Sequence, residues 1–303
     1  MEILNLIRWK NLLMIAVMQW LVKFSLLTPM GITGSLTPFE FILLMLATVS
    51  IAAAGNIIND VYDVETDVIN KPNILIIGKS ISEKTAYNLF IICNVFGVGL
   101  GYYLSHTINR SGFFTIFVFT SALLYIYSTF LKRLPLIGNI IISALVALSI
   151  LIVGVFELLP LVDSYNQSVL LAVFKIILNF SVFAFSINLI REISKDLEDI
   201  QGDQKTNMNT LPIAIGVKKT KVILILISAI VCIGISNFVI EALYKYLEVV
   251  LYFLLLIIGP LLLIIIKMIY AQNKEDYSLI SKYLKWVMLL GMLSLLLYKY
   301  YIL

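Results

Sequence analysis

Nine stretches of about 20 mostly apolar residues follow one another through this 303-residue chain, more than a water-soluble fold can hide behind a polar shell. They fall at about 11–30, 38–59, 85–105, 112–131, 136–159, 168–190, 220–242, 247–270 and 282–303. At a rise of about 1.5 Å per residue, each reaches across a hydrocarbon core of roughly 30 Å. Only 13% of the residues are charged, where soluble domains carry about 25%. The runs are continuous and lack the ten-residue alternation of an outer-membrane barrel. The expected fold is therefore an all-α polytopic membrane protein with nine transmembrane helices, read as one membrane domain over 1–303.

The scarce reactive side chains exclude several chemistries. Cys93 and Cys232 lie inside apolar runs and read as buried hydrophobes, not as a disulfide or metal pair. His106 is the one histidine, which argues against a histidine metal site or a Ser-His-Asp triad. The first run follows Arg8 and Lys10, is too long for a signal-peptide core and lacks a small-residue cleavage site, so no cleavable signal is expected.

Lysine and arginine set the expected orientation. Seventeen of the 22 lie at the amino terminus or near the loops after the second, fourth, sixth and eighth runs; Arg110, Lys245 and Lys299 lie on the opposite side, and Lys23 and Lys175 within or near spans. The positive-inside rule then puts the amino terminus and the even loops in the cytoplasm, in a cytoplasmic membrane. The net charge of +4 is thus mostly a topology signal, and no nucleic-acid partner or obligate protein partner is expected. Two of the cytoplasmic connections, about 60–84 and 191–219, read as long loops.

The acids concentrate in those two segments. Asp60, Asp63 and Asp67 form D-x-x-D-x-x-x-D after the second run, and Asp196, Asp199 and Asp203 repeat the pattern after the sixth, at an offset of 136 residues. The likeness continues into Ile74-Leu-Ile-Ile-Gly78-Lys79 and Leu211-Pro-Ile-Ala-Ile-Gly216-Val-Lys218. Together these point to a pseudo-repeat of about 1–135 and 136–270 with a ninth helix added, an arrangement that commonly places a site at the repeat interface.

At 100° per residue, Asn56, Asn59, Asp63 and Asp67 fall within an arc of about 80°, and Asp196, Asp199 and Asp203 within about 60°. If the helices continue that far, each motif is a carboxylate ladder on one face. Like charges so aligned destabilise a helix unless a cation sits among them. Carboxylates and amides without His or Cys suit hard cations, above all Mg²⁺, which shares its shell with water and phosphate. Two such ladders facing one another bind a diphosphate through bridging Mg²⁺. Glu65 falls on another helical face and reads as solvated, while Glu192 lies close to the second ladder. Arg191 and Lys195 lie beside it, open to pairing with acids or to contacting a phosphate.

N-D-x-x-D-x-x-x-D at 59–67 and D-x-x-D-x-x-x-D at 196–203, after the second and sixth of nine runs, resemble the UbiA superfamily of intramembrane prenyltransferases. The basic segment Tyr127-Ser-Thr-Phe-Leu-Lys132-Arg133 is similar as well, as is Gly202-Asp203 followed by Thr210-Leu211-Pro212, and the resemblance covers essentially the whole chain. It implies a helical bundle around a central cavity open to lipid, with the prenyl tail in the cavity and the diphosphate head held with Mg²⁺ at the acidic motifs. Carried over by position, Asn59, Asp63 and Asp67 are one metal and diphosphate set, and Asp196, Asp199 and Asp203 the other, with Asp63, Asp67, Asp199 and Asp203 catalytic. Lys132 and Arg133 then meet phosphate oxygens, Tyr127 orients them, and Arg191 and Lys195 are further diphosphate candidates; the competing reading of Lys132 and Arg133 is a positive-inside anchor.

For the acceptor, Asp63-Val-Glu-Thr-Asp67-Val-Ile-Asn70-Lys71-Pro72 is similar to the D-x-E-x-D-x-I-N-K-P wording of geranylgeranylglycerol-phosphate geranylgeranyltransferases of ether-lipid synthesis; homogentisate prenyltransferases use related wording. Those enzymes usually continue with Arg-Pro, where this chain has Asn73-Ile74, so a phosphate contact is either missing here or supplied by Lys71 or Lys79. An aromatic acceptor of quinone biosynthesis is the alternative. A cation transporter is a remote one, because transporters place charges near the bilayer midplane and these acids sit at span ends. A CDP-alcohol phosphotransferase lacks its D-G-x-x-A-R opening here.

Overall fold

The computed structural model describes residues 1–70, 72 and 75–298. Lys71, Asn73, Ile74 and 299–303, including part of the Asn-Lys-Pro segment and the end of the ninth run, lie outside the described residues. Among the described residues nine helices are long and apolar enough to cross a membrane, and the extended backbone is limited to a single bridge between Ile77 and Ile81. In chain order the helices are α1 Glu2–Leu6, α2 Trp9–Leu27, α3 Pro38–Tyr62, α4 Val64–Asn70, α5 Glu83–Thr107, α6 Ser111–Thr129, α7 Ile137–Leu161, α8 Gln167–Lys205, α9 Leu211–Ile215, α10 Val217–Leu243, α11 Leu247–Tyr270 and α12 Lys274–Leu297.

All nine expected spans are present, and one expectation about their connections is overturned. The segment 191–219 is not a long loop: α8 runs unbroken for 39 residues to Lys205, well past its apolar part. A charged stretch reads as loop on hydropathy, yet Arg191, Glu192, Lys195, Leu197 and Glu198 are good helix formers, and Ile193 and Leu197 are buried one turn apart. In the other segment, helix likewise continues to Asn70, and α5 begins at Glu83 behind its cap Ser82.

The chain divides into two compact units. One comprises Met1–Trp20, Thr33–Lys132 and Ser149–Ile177; the other comprises Leu21–Ile32, Arg133–Leu148 and Leu178–Leu303.

In the first unit α3 is the central helix. Thr37 and Glu40 form a capping box around Pro38, which fixes where it starts. Small residues let its neighbours come close. A β-carbon on Gly97 of α5 would lie 2.7 Å from Ile51, and one on Gly55 would lie 2.8 Å from Leu124 of α6. Polar side chains fasten the apolar surfaces: buried Gln19 donates to the Thr48 hydroxyl at 3.1 Å and to the Ser149 carbonyl at 2.7 Å. At the far end of α3, Leu6 packs with Ile57, Ile58, Val61, Ile77 and Ile81, which ties α1 and the 77–81 turn to the acidic end of the helix.

In the second unit the core runs along α8, with Ile187, Ile190, Ile193 and Leu197 packed among Leu224, Ile257, Leu261, Ile264, Ile280 and Leu284. Pro260 lacks an amide hydrogen, and α11 accommodates it by widening to π-helical turns over Leu254–Ile258.

Candidate functional site

The first acidic motif is split by a one-residue break between two helices. α3 ends at Tyr62, Asp63 adopts φ −98° and ψ 0°, and helix resumes at Val64. The expected continuous ladder is therefore interrupted at Asp63, although the Asp67 amide still donates to the Asp63 carbonyl at 2.7 Å. The interruption falls where side-chain bonds concentrate. Lys132 donates its Nζ to Asp63 Oδ1 at 2.6 Å, and Asn59 donates Nδ2 to Asp63 Oδ2 at 2.6 Å. Lys132 also reaches Asn59 Oδ1 at 3.5 Å. Its side chain is only 7% exposed, so it sits inside an ion pair and not among surface charges.

Asp67 and Tyr127 are half-buried, Glu65 is exposed as expected, and Arg133 is exposed with its carbonyl accepting from the Asn209 amide at 3.0 Å. Beside Asp63, the hydroxyls of Tyr62 and Tyr125 lie 3.3 Å apart.

Sequence reasoning placed Asn56 on the ladder, whereas the structure turns it away: its Nδ2 donates to the Ile7 carbonyl at 2.9 Å. One turn later Asp60 accepts from Arg8 Nη2 at 2.6 Å. Arg8 had registered only as a topology charge. No local pattern announces a partner 52 residues away; the one trace of it is a basic residue at a break between two helical runs, where Arg8 has φ 55°.

The second motif is the continuous ladder that helical spacing predicts. Asp196, Asp199 and Asp203 all lie on α8, and Asp203 is 6% exposed, with Oδ2 accepting from the Thr210 hydroxyl at 3.2 Å. Thr210, matched in the sequence only by resemblance, thus has a physical role. Arg191 donates to Glu192 at 2.8 Å and Lys195 donates to both Glu192 oxygens at 3.0 and 3.1 Å, so of their two open readings the structure displays local pairing with an acid. Asp196, expected among the metal ligands, accepts from Asn139 Nδ2 at 2.9 Å. Asn139 was missed altogether, because an asparagine at the head of an apolar run has no distinguishing spacing.

Among the described residues no three His, Cys, Asp or Glu side chains converge on one point, so neither motif is a closed protein cage for a metal. The donors are carboxylate and amide oxygens without sulfur or imidazole. That set fits Mg²⁺, which binds through one or two carboxylates and completes its shell with water and phosphate. It does not fit a structural zinc centre.

Comparison with known proteins agrees in breadth and in detail. A model of the UbiA prenyltransferase family matches residues 24–289. A relative named digeranylgeranylglyceryl phosphate synthase, from Methanosphaera stadtmanae, is 32% identical over 278 residues, covering 90% of this chain and 93% of its own. A solved structure reported for digeranylgeranylglyceryl phosphate synthase in membranes has 26% identity and a TM-score of 0.62, covering 98% and 96% of the two chains. A UbiA homolog from Archaeoglobus fulgidus bound to DMAPP and Mg²⁺ shares the fold with a TM-score of 0.59 at 16% identity, over 96% and 99%. Nine membrane-length helices, two acidic motifs at their ends and a family match spanning most of the sequence lead to one conclusion: this chain belongs to the UbiA prenyltransferase family.

Proposed function

We propose that this membrane enzyme moves a prenyl group from a prenyl diphosphate to geranylgeranylglycerol phosphate, a step of ether-lipid synthesis, with Mg²⁺ as cofactor. The observation that carries the proposal is the Asn59–Asp63–Lys132 cluster, which sets oxygen donors and a buried ammonium side by side at the end of a membrane-length helix. Asn59, Asp63 and Asp67 serve as one metal and diphosphate set, and Asp196, Asp199 and Asp203 as the other. The 136-residue offset between them supports an internal duplication as their origin.

Bound Mg²⁺ would neutralise charge developing on the departing diphosphate. The chain's own residues do the rest. Lys132 exchanges its Asp63 oxygen for a phosphate oxygen and so follows the charge from carboxylate to leaving group. Arg133, Arg191 and Lys195 are further cations available to the diphosphate, and Tyr127 orients the basic segment. The allylic C–O bond breaks with its electron pair on the diphosphate; the acceptor's free hydroxyl oxygen forms the new C–O bond and releases its proton. Apolar helix surfaces keep water from capturing the cation first.

The acceptor assignment rests on the Asp63–Pro72 wording and on the name carried by the relative from Methanosphaera stadtmanae. The bias of Lys and Arg supports an amino terminus and acidic motifs facing the cytoplasm. The test is a product assay: purified protein with labelled geranylgeranyl diphosphate, Mg²⁺ and either geranylgeranylglycerol phosphate or an aromatic quinone precursor. Product with the glycerol phosphate alone is expected. Product with the aromatic acceptor alone would replace the acceptor assignment and keep the reaction class.

A further inference from the structure

Lysines gather where α10, α11 and α12 meet. Lys218, Lys219 and Lys221 open α10, Lys267 lies in the last turn of α11, and Lys274, Lys282 and Lys285 lie in the first half of α12. The acids of these segments are Glu275 and Asp276, so seven lysines against two acids give this one end a charge of +5, in a chain whose total is +4. The opposite ends of α10 and α11 carry Glu241, Lys245 and Glu248. A positive-inside signal sets the sign of charge at a span end, but it does not require seven cations at three adjoining ends. In the first unit the basic residues at helix ends meet acids of their own: Arg8 pairs with Asp60, and Lys132 with Asp63.

Bonds among the three ends hold the lysines in one place. Lys221 donates Nζ to the carbonyls of Ile269 and Ala271 at 3.1 and 2.7 Å, which caps α11 and seats the start of α10 beside it. Asp276 accepts from the amides of Gln272 and Asn273 at 2.8 and 3.0 Å, so its carboxylate is engaged in capping α12. Lys267 stands 5.6 Å over the ring of Tyr283, which joins the end of α11 to the third turn of α12.

The surroundings have the form of a lipid seat. Lys218, Lys219, Lys267 and Lys282 are exposed. So are Tyr270, Tyr283 and Trp286, and amphipathic rings of this kind settle where hydrocarbon gives way to headgroups. Lys282 and Trp286, four residues apart, share one face of α12. On α10 the same spacing continues from Lys218 through Val222, Leu226 and Ile230, all three exposed, so a cation heads an apolar strip. A phosphate at the lysines and a hydrocarbon chain along that strip match both parts of it.

We infer that this end of α10, α11 and α12 is a docking surface for anionic lipids, whose headgroups meet Lys218, Lys219, Lys267 and Lys282. The surface begins eight residues after Thr210, whose hydroxyl binds Asp203, so the lipids gather at the end of the second unit that carries its acidic motif.

The test uses the full-length protein in phosphatidylcholine vesicles, with Trp9→Phe and Trp20→Phe leaving Trp286 as the one tryptophan. Brominated phosphatidylglycerol and brominated phosphatidylcholine are compared as quenchers of its fluorescence. A lysine at an anionic membrane surface favours the charged headgroup about fivefold, so half-quenching by phosphatidylglycerol is expected at a mole fraction roughly fivefold lower or less. Lys218→Gln, Lys219→Gln and Lys282→Gln together should bring that ratio below about twofold, and the matching Lys→Arg replacements should keep it. Raising NaCl to about 1 M should also reduce it, because the screening length falls from about 8 to about 3 Å. Equal quenching by the two lipids overturns the inference, and so does a preference that survives the glutamine replacements. Inorganic phosphate, added at constant ionic strength, should leave the ratio unchanged; a ratio lost to phosphate makes the free ion the ligand and overturns the lipid assignment. Native mass spectrometry of the wild-type protein from mixed lipid micelles needs no tryptophan replacement. It should show phosphatidylglycerol retained over phosphatidylcholine, and equal retention overturns the inference as well.

Discussion

Replacing Lys132 with Met is the sharpest probe of the first acidic cluster. The change keeps the length of the side chain and removes an ammonium 2.6 Å from Asp63 Oδ1. Exposed ion pairs contribute about 0–1 kcal/mol, whereas breaking a fully buried one costs about 3–5 kcal/mol because a bare charge is left behind. This pair lies between those limits: the Lys132 side chain is 7% exposed and Asp63 19%, and Asn59 continues to hold the other carboxylate oxygen. A coupling of about 2 kcal/mol between Lys132→Met and Asp63→Asn is therefore expected in a double-mutant cycle on stability, because the neutral amide no longer needs the ammonium. Thermal unfolding of the detergent-solubilised protein measures it, and Asp63→Asn should soften the loss caused by Lys132→Met. The same lysine is assigned to the leaving group, so kcat/KM for the prenyl diphosphate should fall roughly 100-fold in Lys132→Met, the scale of losing one preorganised donor to developing charge. Additive stabilities together with unchanged kinetics would refute both halves of the reasoning: Lys132 would then be a surface charge that happens to rest on Asp63.

Chelation with EDTA should abolish prenyl transfer and added Mg²⁺ should restore it, as followed by radiolabelled product, while Zn²⁺ should restore little because the donors are hard oxygens. Thr210→Val removes the hydroxyl from buried Asp203 at a cost of about 1–2 kcal/mol, and should raise the Mg²⁺ concentration needed for half-maximal rate. Gly97→Val drives a side chain into Ile51 and the Ala47 carbonyl, and should lower thermal stability by about 1–3 kcal/mol without altering the metal requirement of the folded fraction.

What the sequence made legible followed from local repetition. Apolar run length fixed the nine helices, and 100° spacing fixed the ladder of Asp196, Asp199 and Asp203, because both depend on a few consecutive turns. The reading went astray where tertiary bonds decide. A helical spacing rule cannot foresee that Asp63 leaves the helix, nor that Asn56 turns toward Ile7 while Asn59, three residues on, turns toward Asp63. Arg8, Lys132 and Asn139 act on aspartates 52, 69 and 57 residues away, and their own neighbourhoods look like ordinary helix ends.

Those distant partners also separate two motifs that look equivalent as text. At the 136-residue offset, Asn59 corresponds to Lys195 and Asn56 to Glu192. In the first motif the cation comes from outside, as Lys132, and pairs directly with the middle aspartate. In the second the cations lie just ahead of the motif on the same helix, as Arg191 and Lys195, and both pair with Glu192 one turn before the ladder begins. A phosphate approaching the first motif can draw on an ammonium already placed against Asp63, whereas at the second it must compete with Glu192 for Arg191 and Lys195. Glu192→Gln weakens that competition. If Arg191 and Lys195 serve the diphosphate, this variant should lower KM for the prenyl diphosphate about two- to fivefold, the scale of a partly exposed ion pair. If the two cations only balance Glu192, KM should stay where it is and only stability should change. Steady-state kinetics of this one variant therefore decides between the two readings of Arg191 and Lys195 that spacing alone left open.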